Sequence, residues 1–206
     1  MAVPYKERPL KNIAEAFSDL AAIVNSQTVD VEVASFSHAC SFVSPLLGCL
    51  GFAFKFAETD YVSKVGDLEK TSKSIVTLRA LVDRDVEANC VKKMGSHSDN
   101  LLIVKRVLEL VKVLFEQLLA AEVMNNSLKN PLSIAYEKVL APYHAWAIRI
   151  VVAAGMYTLP TKTQLLKKLN EDDASSRIQM QKYVVGSAPV ILYIEKLFLS
   201  RGLGVA

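Results

Sequence analysis

Apolar side chains recur at helical spacing along most of this 206-residue chain. Ile13, Phe17 and Leu20, for example, fall on one face of a helix because their spacing follows a turn of about 3.6 residues. Long strand-type alternation is lacking, and so are the Asn-Gly and Asp-Gly dipeptides of tight hairpins. The pattern predicts an all-α protein of about eight helices with short connections. No repeat or linker divides it, so we expect a single domain over residues 1–206.

Caps and prolines mark the breaks between the predicted helices. Pro45 is expected to kink or interrupt the apolar stretch around it. Residues 61–91 carry one continuous apolar face, which predicts a single long helix. Residues 96–99 supply cap side chains for a helix predicted over 101–123. A last helix is predicted after residues 172–176 and ends near Gly202.

Composition narrows the class of protein. Hydrophobic residues make up 51% and charged residues 22%, so the chain can bury a core and is not a disordered one. The apolar share fits either a large core or an interior that also surrounds an apolar guest. The net charge of +3 is small, and aromatic residues do not alternate with basic ones. Nucleic acid is therefore not an expected partner, whereas an anionic membrane surface is compatible with the charge.

The compartment is inferred from cysteines and apolar runs. Three cysteines at unpaired spacings indicate neither a disulfide framework nor a zinc site. The N-terminus lacks the apolar core of a signal peptide. The longest uncharged apolar stretch, residues 42–54, is too short to span a bilayer. We expect a soluble, cytoplasmic protein.

Motifs for covalent chemistry are missing. The three histidines, His38, His97 and His144, form no metal-binding motif, and no phosphate-binding loop occurs. No nucleophile motif with a recognisable context occurs either. The sequence therefore predicts no enzymatic activity, no metal and no cofactor.

Two polar signatures stand out in the apolar background, Asp60-Tyr-Val-Ser-Lys64 and Tyr143-His144-Ala-Trp146. By spacing alone, Asp60 and Lys64 form an ordinary helical ion pair worth about 0.3–0.5 kcal/mol. By themselves, His144 and Trp146 are equally well explained by packing. Together, however, an acid, a base and an imidazole at one end of an apolar interior could bind the polar part of a lipid while the interior surrounds its tails.

Several longer stretches carry a family resemblance, in order and over nearly the whole chain. They are Phe36-Ser-His-Ala-Cys40, Ser44-Pro-Leu-Leu-Gly-Cys-Leu-Gly51, Phe54-Lys-Phe-Ala57, Asp60-Tyr-Val-Ser-Lys64, Val104-Lys-Arg106, Ala141-Pro-Tyr-His144, Trp146-Ala-Ile-Arg149 and Gly155-Met-Tyr157. With them the chain resembles the glycolipid transfer protein superfamily, and in particular its ceramide-1-phosphate branch. The resemblance implies a two-layer helical sandwich that opens to take lipid chains between its layers.

The resemblance also implies a function and a site. Proteins of this family extract a sphingolipid from one membrane and deliver it to another without covalent chemistry. Asp60 matches the family aspartate that accepts from the ceramide amide, and His144 matches the histidine that donates to the acyl carbonyl. Lys64 matches a basic residue at the head group, and Trp146 a tryptophan at the membrane entrance. The expected partners are a ceramide-based lipid and, transiently, a membrane; we expect a monomer.

Four apolar residues are candidates for the pocket wall, although core packing explains them equally well. They are Phe42, Leu46, Phe52 and Phe56.

The head-group positions depart from the family pattern. Where the phosphate-binding branch has two arginines one helical turn apart, this chain has Asp99 and Ile103. We expect weaker phosphate binding, with Asp99 acting as a helix cap and Arg106 or Arg149 as substitute cations. The alternative to a transfer protein is a lipid sensor or protein-interaction module on the same fold that does not carry lipid.

Overall fold

The computed structural model describes residues 8–121 and 125–204, and within these ranges the chain is almost entirely helical. The α-helices are α1 (Pro9–Ser26), α2 (Val33–Ser41), α3 (Ser44–Cys49), α4 (Lys55–Thr71), α5 (Leu78–Glu87), α6 (His97–Ala120), α7 (Lys129–Val139), α8 (Trp146–Gly155), α9 (Lys162–Lys168) and α10 (Asp173–Leu199). Short 3-10 turns lie at Phe52–Phe54, Ala141–Tyr143 and Met156–Thr158. The all-α prediction is confirmed; the described ranges divide into ten α-helices because several, such as α3 and α9, are short.

The helices pack as two sets. Helix α2 contacts both α1 and α4, and α6 contacts both α10 and α7. The two sets meet where α1 lies against α10 and where α4 lies against α6. This is the two-layer sandwich predicted from the sequence. In the described ranges, no helix combines the length and apolar character needed to cross a bilayer.

The core between the layers is closely filled by aromatic and aliphatic side chains. The largest fully buried ones include Tyr61, Tyr183, Phe17, Phe36, Phe115 and Phe198. Two buried hydroxyls are satisfied by main-chain carbonyls: Tyr61 Oη donates to Cys40 O at 2.9 Å, and Tyr183 Oη donates to Leu108 O at 2.9 Å. A buried phenol without a partner would destabilise the fold, so these bonds hold α4 against α2 and α10 against α6.

One prediction of a continuous helix is wrong. Residues 61–91 do not form a single helix, because α4 ends at Thr71 and α5 begins only at Leu78. The intervening chain pairs instead with the segment before α2, where Leu78 N donates to Val31 O at 2.9 Å. Thr77 then caps α5 by accepting from Ala80 N at 3.1 Å. Tertiary pairing of β-branched residues outweighs the helical spacing of the apolar face.

Other predicted boundaries are confirmed. Pro45 lies in the first turn of the short α3, just after α2 ends. Ser96 is the N-cap of α6 and accepts from Asp99 N at 3.1 Å, although the helix begins at His97 and not at Leu101. Its predicted end near Val123 lies outside the described residues.

Candidate functional site

Helices α4 and α6 form the frame of the candidate site, and two contacts define how they run. Asn100 Nδ2 donates to Asp67 Oδ2 at 2.7 Å, and Thr71 Oγ1 lies 3.2 Å from His97 Nδ1. Residue numbers rise on one helix as they fall on the other, so the helices are antiparallel. Continuing this register by one and two turns brings Lys64 level with Ile103, and Asp60 level with Arg106.

The acid and the base of the first signature lie on one edge of α4. Lys64 Nζ is 3.5 Å from Asp60 Oδ1. The neighbouring residues Tyr61 and Val65 point into the core, which leaves Asp60 and Lys64 at the rim of the α4–α6 contact. The Asp60 side chain is 58% exposed and that of Lys64 21%. The carboxylate is therefore accessible to a guest at this rim.

His144 is presented by a break between helices. The 3-10 turn Ala141–Tyr143, which contains Pro142, ends in an extended backbone at His144, and α8 starts at Trp146. The imidazole is half-buried, and its Nδ1 lies 3.0 Å from Tyr136 Oη. Burial lowers the pKa of His144 below 6.5, and the nearby positive charge of Arg106 lowers it further. At neutral pH the ring is uncharged. With the tyrosine hydroxyl donating to Nδ1, its proton is on Nε2, where it can donate to a carbonyl.

Arg106 connects this turn to α6. Its guanidinium carbon lies 3.6 Å from the centroid of the Tyr143 ring, a cation–π contact. Since the α4–α6 register brings Arg106 level with Asp60, the same contact brings His144 to this end of α4. The structure thus joins Arg106, Tyr143 and His144, and the helix register leads us to expect Asp60 and Lys64 on the adjoining turns of α4.

Asp99 and Ile103 occupy the next turns of α6. The Asp99 carboxylate accepts from Gly95 N at 2.9 Å, so it stabilises the start of α6, as expected for a cap residue. Ile103 is half-buried and presents an aliphatic side chain at the level of Lys64. Arg149 lines a surface hollow of about 380 Å³ together with Trp146 and Tyr136.

Helix α8 carries an unusually exposed apolar surface. Of its ten residues, only Val152 and Gly155 are buried. Trp146 is 76% exposed, and Phe52, in the turn that contacts α8, is 95% exposed. We call the following exposed side chains the apolar face: Phe52, Trp146, Ile148, Ile150, Val151 and Tyr157. Exposed aromatic and aliphatic residues in such a group indicate a surface that meets another apolar phase.

The four candidate wall residues have different surroundings. Leu46 is fully buried in the core. Phe42 is half-buried, with its ring edge-on to His38 at a centroid distance of 4.9 Å. Phe56 is half exposed, and Phe52 belongs to the apolar face. The structure thus places Leu46 inside the sandwich and packs Phe42 against the same core, whereas Phe52 and Phe56 are exposed.

Tyr136 was missed in the sequence. It orients His144, yet it lies on α7, before the 3-10 turn that separates the two residues. The turn breaks the helical spacing, so periodicity carries no signal of the contact. The Arg106–Tyr143 contact between distant segments was missed for the same reason.

The family model for glycolipid transfer protein (GLTP) matches residues 31–171. Accelerated cell death 11 of Arabidopsis thaliana is 57% identical over 205 residues, which cover 100% of this chain and 99% of that protein.

Two crystal structures of that relative are also similar. Its D60N mutant complexed with C12 ceramide-1-phosphate has a TM-score of 0.95 at 56% identity, over 98% of this chain and 99% of the other. Its D60A mutant with the same lipid has a TM-score of 0.94 at 57% identity, over 97% and 99%. With a family model that covers more than half of its length and a relative this similar from end to end, the chain belongs to the glycolipid transfer protein family.

Proposed function

We propose that this protein binds a ceramide-based sphingolipid and carries it between membranes without catalysing a covalent reaction. The observation that supports the proposal is an accessible carboxylate, Asp60, on α4 together with a half-buried imidazole, His144, next to an exposed apolar face; we expect the two groups to meet on one lipid. These are the groups that a lipid with a buried amide needs. The family membership supports the same reading.

The amide of ceramide has one donor and one acceptor. A polar group left without a partner in an apolar environment costs about 1–3 kcal/mol. Asp60 can accept from the amide N–H, and Nε2 of His144 can donate to the acyl carbonyl. The lowered pKa of His144 keeps the ring from adding a second positive charge beside Arg106. The two side chains therefore recognise the amide from both sides.

The lipid tails require the sandwich to open. Side chains such as Leu46 and Phe36 are fully buried, so the space between the layers is filled by the protein itself. Tails can enter only where the layers move apart, and they then replace one apolar contact with another. Such an exchange changes little free energy, because apolar surface stays out of water on both sides of the exchange.

Replacing Asp60 is expected to weaken lipid binding without abolishing it. The D60N and D60A mutants of the Arabidopsis relative both crystallise with ceramide-1-phosphate, and the replaced aspartate has the same number as Asp60. In this chain, where Asp99 and Ile103 provide no basic group, the amide contact should carry a larger share of the binding free energy.

We predict that Asp60→Asn and His144→Leu each lower transfer of C12 ceramide between vesicles about ten-fold. Asp60→Asn removes the charge that strengthens the hydrogen bond from the amide N–H, and His144→Leu removes the donor to the acyl carbonyl; each change should cost about 1.5 kcal/mol. Asp83→Asn is the matched control, since Asp83 also forms a surface ion pair, with Arg201, on the distant helix α5. Mass spectrometry of retained lipid and a fluorescence transfer assay provide the measurements.

Three outcomes are informative. If both variants load and move lipid as well as the parent, the amide site is wrong. If the parent protein retains lipid but does not transfer it between vesicles, the alternative of a lipid sensor or interaction module is favoured. Reduced loading and transfer in both variants, with the Asp83→Asn control unchanged, supports the proposal.

Membrane contact is proposed for the apolar face. We predict that Trp146→Ala lowers binding to anionic vesicles about ten-fold, since on the order of 1.5 kcal/mol is lost when a large ring no longer enters the interface. Trp146 is mostly exposed, so the melting temperature should not change. Leu192→Ala removes a side chain 48% exposed on α10 and is the control. Co-sedimentation with vesicles tests this, and equal binding of both variants would refute the assignment.

We also propose that the protein acts as a monomer in the cytoplasm and visits membranes only transiently. A carrier must leave the membrane after loading, so its contact with the surface has to be transient. Its cysteines, Cys40, Cys49 and Cys90, are free thiols, which suits a reducing compartment.

A further inference from the structure

The charges around the head-group end of the site do not favour an anion. Asp60, Lys64 and Asp67 are spaced along one face of α4, and the nearest cation to Asp60 is its own partner, Lys64, at 3.5 Å. Asp67 is held by Asn100 and by His97, whose Nδ1 lies 2.8 Å from Oδ2. This wall contains two carboxylates and one lysine.

The facing wall on α6 has no lysine or arginine between residues 94 and 104. Ile103, level with Lys64, offers no hydrogen-bond donor. Asp99 lies in the first turn and complements the positive end of the helix, which would otherwise attract an anion. The two cations that follow are already engaged: Lys105 contacts Glu109 and Glu195, and Arg106 stacks on Tyr143.

What this end of the site offers instead is hydrogen-bond acceptors. The carboxylates of Asp60 and Asp67 accept only, and both are partly exposed at this rim. A phosphate monoester is itself almost purely an acceptor, so it cannot satisfy these oxygens. A hydroxyl group donates and can satisfy them.

We infer that this site selects a ceramide-based lipid whose head is net-neutral and bears hydroxyl groups over one that ends in a phosphate monoester. The inference rests on the proposed function and names the substrate class of the same site. Mutants of the Arabidopsis relative are crystallised with ceramide-1-phosphate, so the inference implies that this chain and that protein differ in head-group preference. Ile103 and Asp99 are the specificity-determining residues.

The first test is a transfer assay with three lipids that share a C12 acyl chain: ceramide, glucosylceramide and ceramide-1-phosphate. The expected result is transfer of at least one of the two neutral lipids about ten-fold faster than ceramide-1-phosphate. Comparing ceramide with glucosylceramide distinguishes a single head-group hydroxyl from a sugar as the source of the hydrogen-bond donors. Faster transfer of ceramide-1-phosphate would overturn the inference but leave the proposed function intact, whereas transfer of none would overturn the proposed function.

The second test reverses the preference. Asp99→Arg combined with Ile103→Arg should raise affinity for ceramide-1-phosphate about 100-fold, since two charge-assisted contacts are gained. Ile103→Arg alone keeps the Asp99–Gly95 contact, so it provides a second test if the double variant does not fold. Asp19→Arg with Ala22→Arg adds the same charge at exposed positions of α1 and is the control. The inference would be contradicted if the α1 control gained as much affinity for ceramide-1-phosphate as the double variant. It would also be contradicted if neither protein that carries Ile103→Arg gained affinity.

Discussion

Gly186→Val is expected to lower the free energy of unfolding by about 3 kcal/mol. A Cβ at this position of α10 would lie 2.9 Å from the carbonyl carbon and oxygen of Phe17 and 3.0 Å from Ser18 N. These are backbone atoms of α1, which cannot move without shifting the helix. Overpacking of this kind typically costs about 1–3 kcal/mol, and the two valine methyls add to the clash.

The matched control for Gly186 is Gly66→Ala on α4. A Cβ at Gly66 meets nothing within 4 Å, so alanine should stabilise the helix by about 0.5–1 kcal/mol. Thermal unfolding followed by circular dichroism measures both changes, and about 3 kcal/mol corresponds to a fall of about 6–12 °C for a domain of this size. A Gly186→Val protein as stable as the parent would show that α1 and α10 do not approach this closely.

Lys105→Ala is expected to cost about 2 kcal/mol. The buried ammonium lies 2.9 Å from Glu109 and 2.6 Å from Glu195, and so it joins α6 to α10. Removing one member of a buried charge cluster typically costs about 3–5 kcal/mol, but the carboxylates here are 32% and 28% exposed, which lowers the penalty. Lys112→Ala removes a cation paired only along its own helix with Glu116 and should cost less than about 1 kcal/mol.

The same cluster has a pH signature. Burial alone would lower the pKa of Lys105, but hydrogen bonds to Glu195 and Glu109 outweigh it and raise the pKa above 10.5. A raised pKa in the folded state contributes stability that is complete below the unfolded value and is lost as pH rises through the folded one. The difference between parent and Lys105→Ala in urea unfolding should therefore persist at neutral pH and shrink only above about pH 10.5. A difference that already disappears at pH 8 would contradict the assignment.

Local patterns account for much of this protein. Apolar spacing predicted the helices because a helix buries one face, and Pro45 and Ser96 marked breaks because backbone hydrogen bonding leaves few alternatives there. The same reasoning was wrong at residues 72–77, where pairing with the chain before α2 ends the helix. A contact across the fold cannot be inferred from spacing along it.

The candidate site, too, could be predicted from the sequence only in part. The residue types Asp60, Lys64 and His144 could be selected from the sequence because family resemblance marks their positions. Their convergence depends on the antiparallel register of α4 and α6 and on Arg106 stacking on Tyr143. The solvent exposure of apolar side chains could not be predicted from the sequence either. A residue such as Phe52 has the same local pattern whether it lies in the core or on the surface.

The sequence by itself determined the helical class, the family and the chemical groups available for a lipid, because these follow from residue types and short-range spacing. Only the tertiary structure decided which groups meet, because that depends on how the layers stack. It brought Tyr136 to His144 and Asn100 to Asp67. It also left Trp146, the first residue of α8, exposed to solvent.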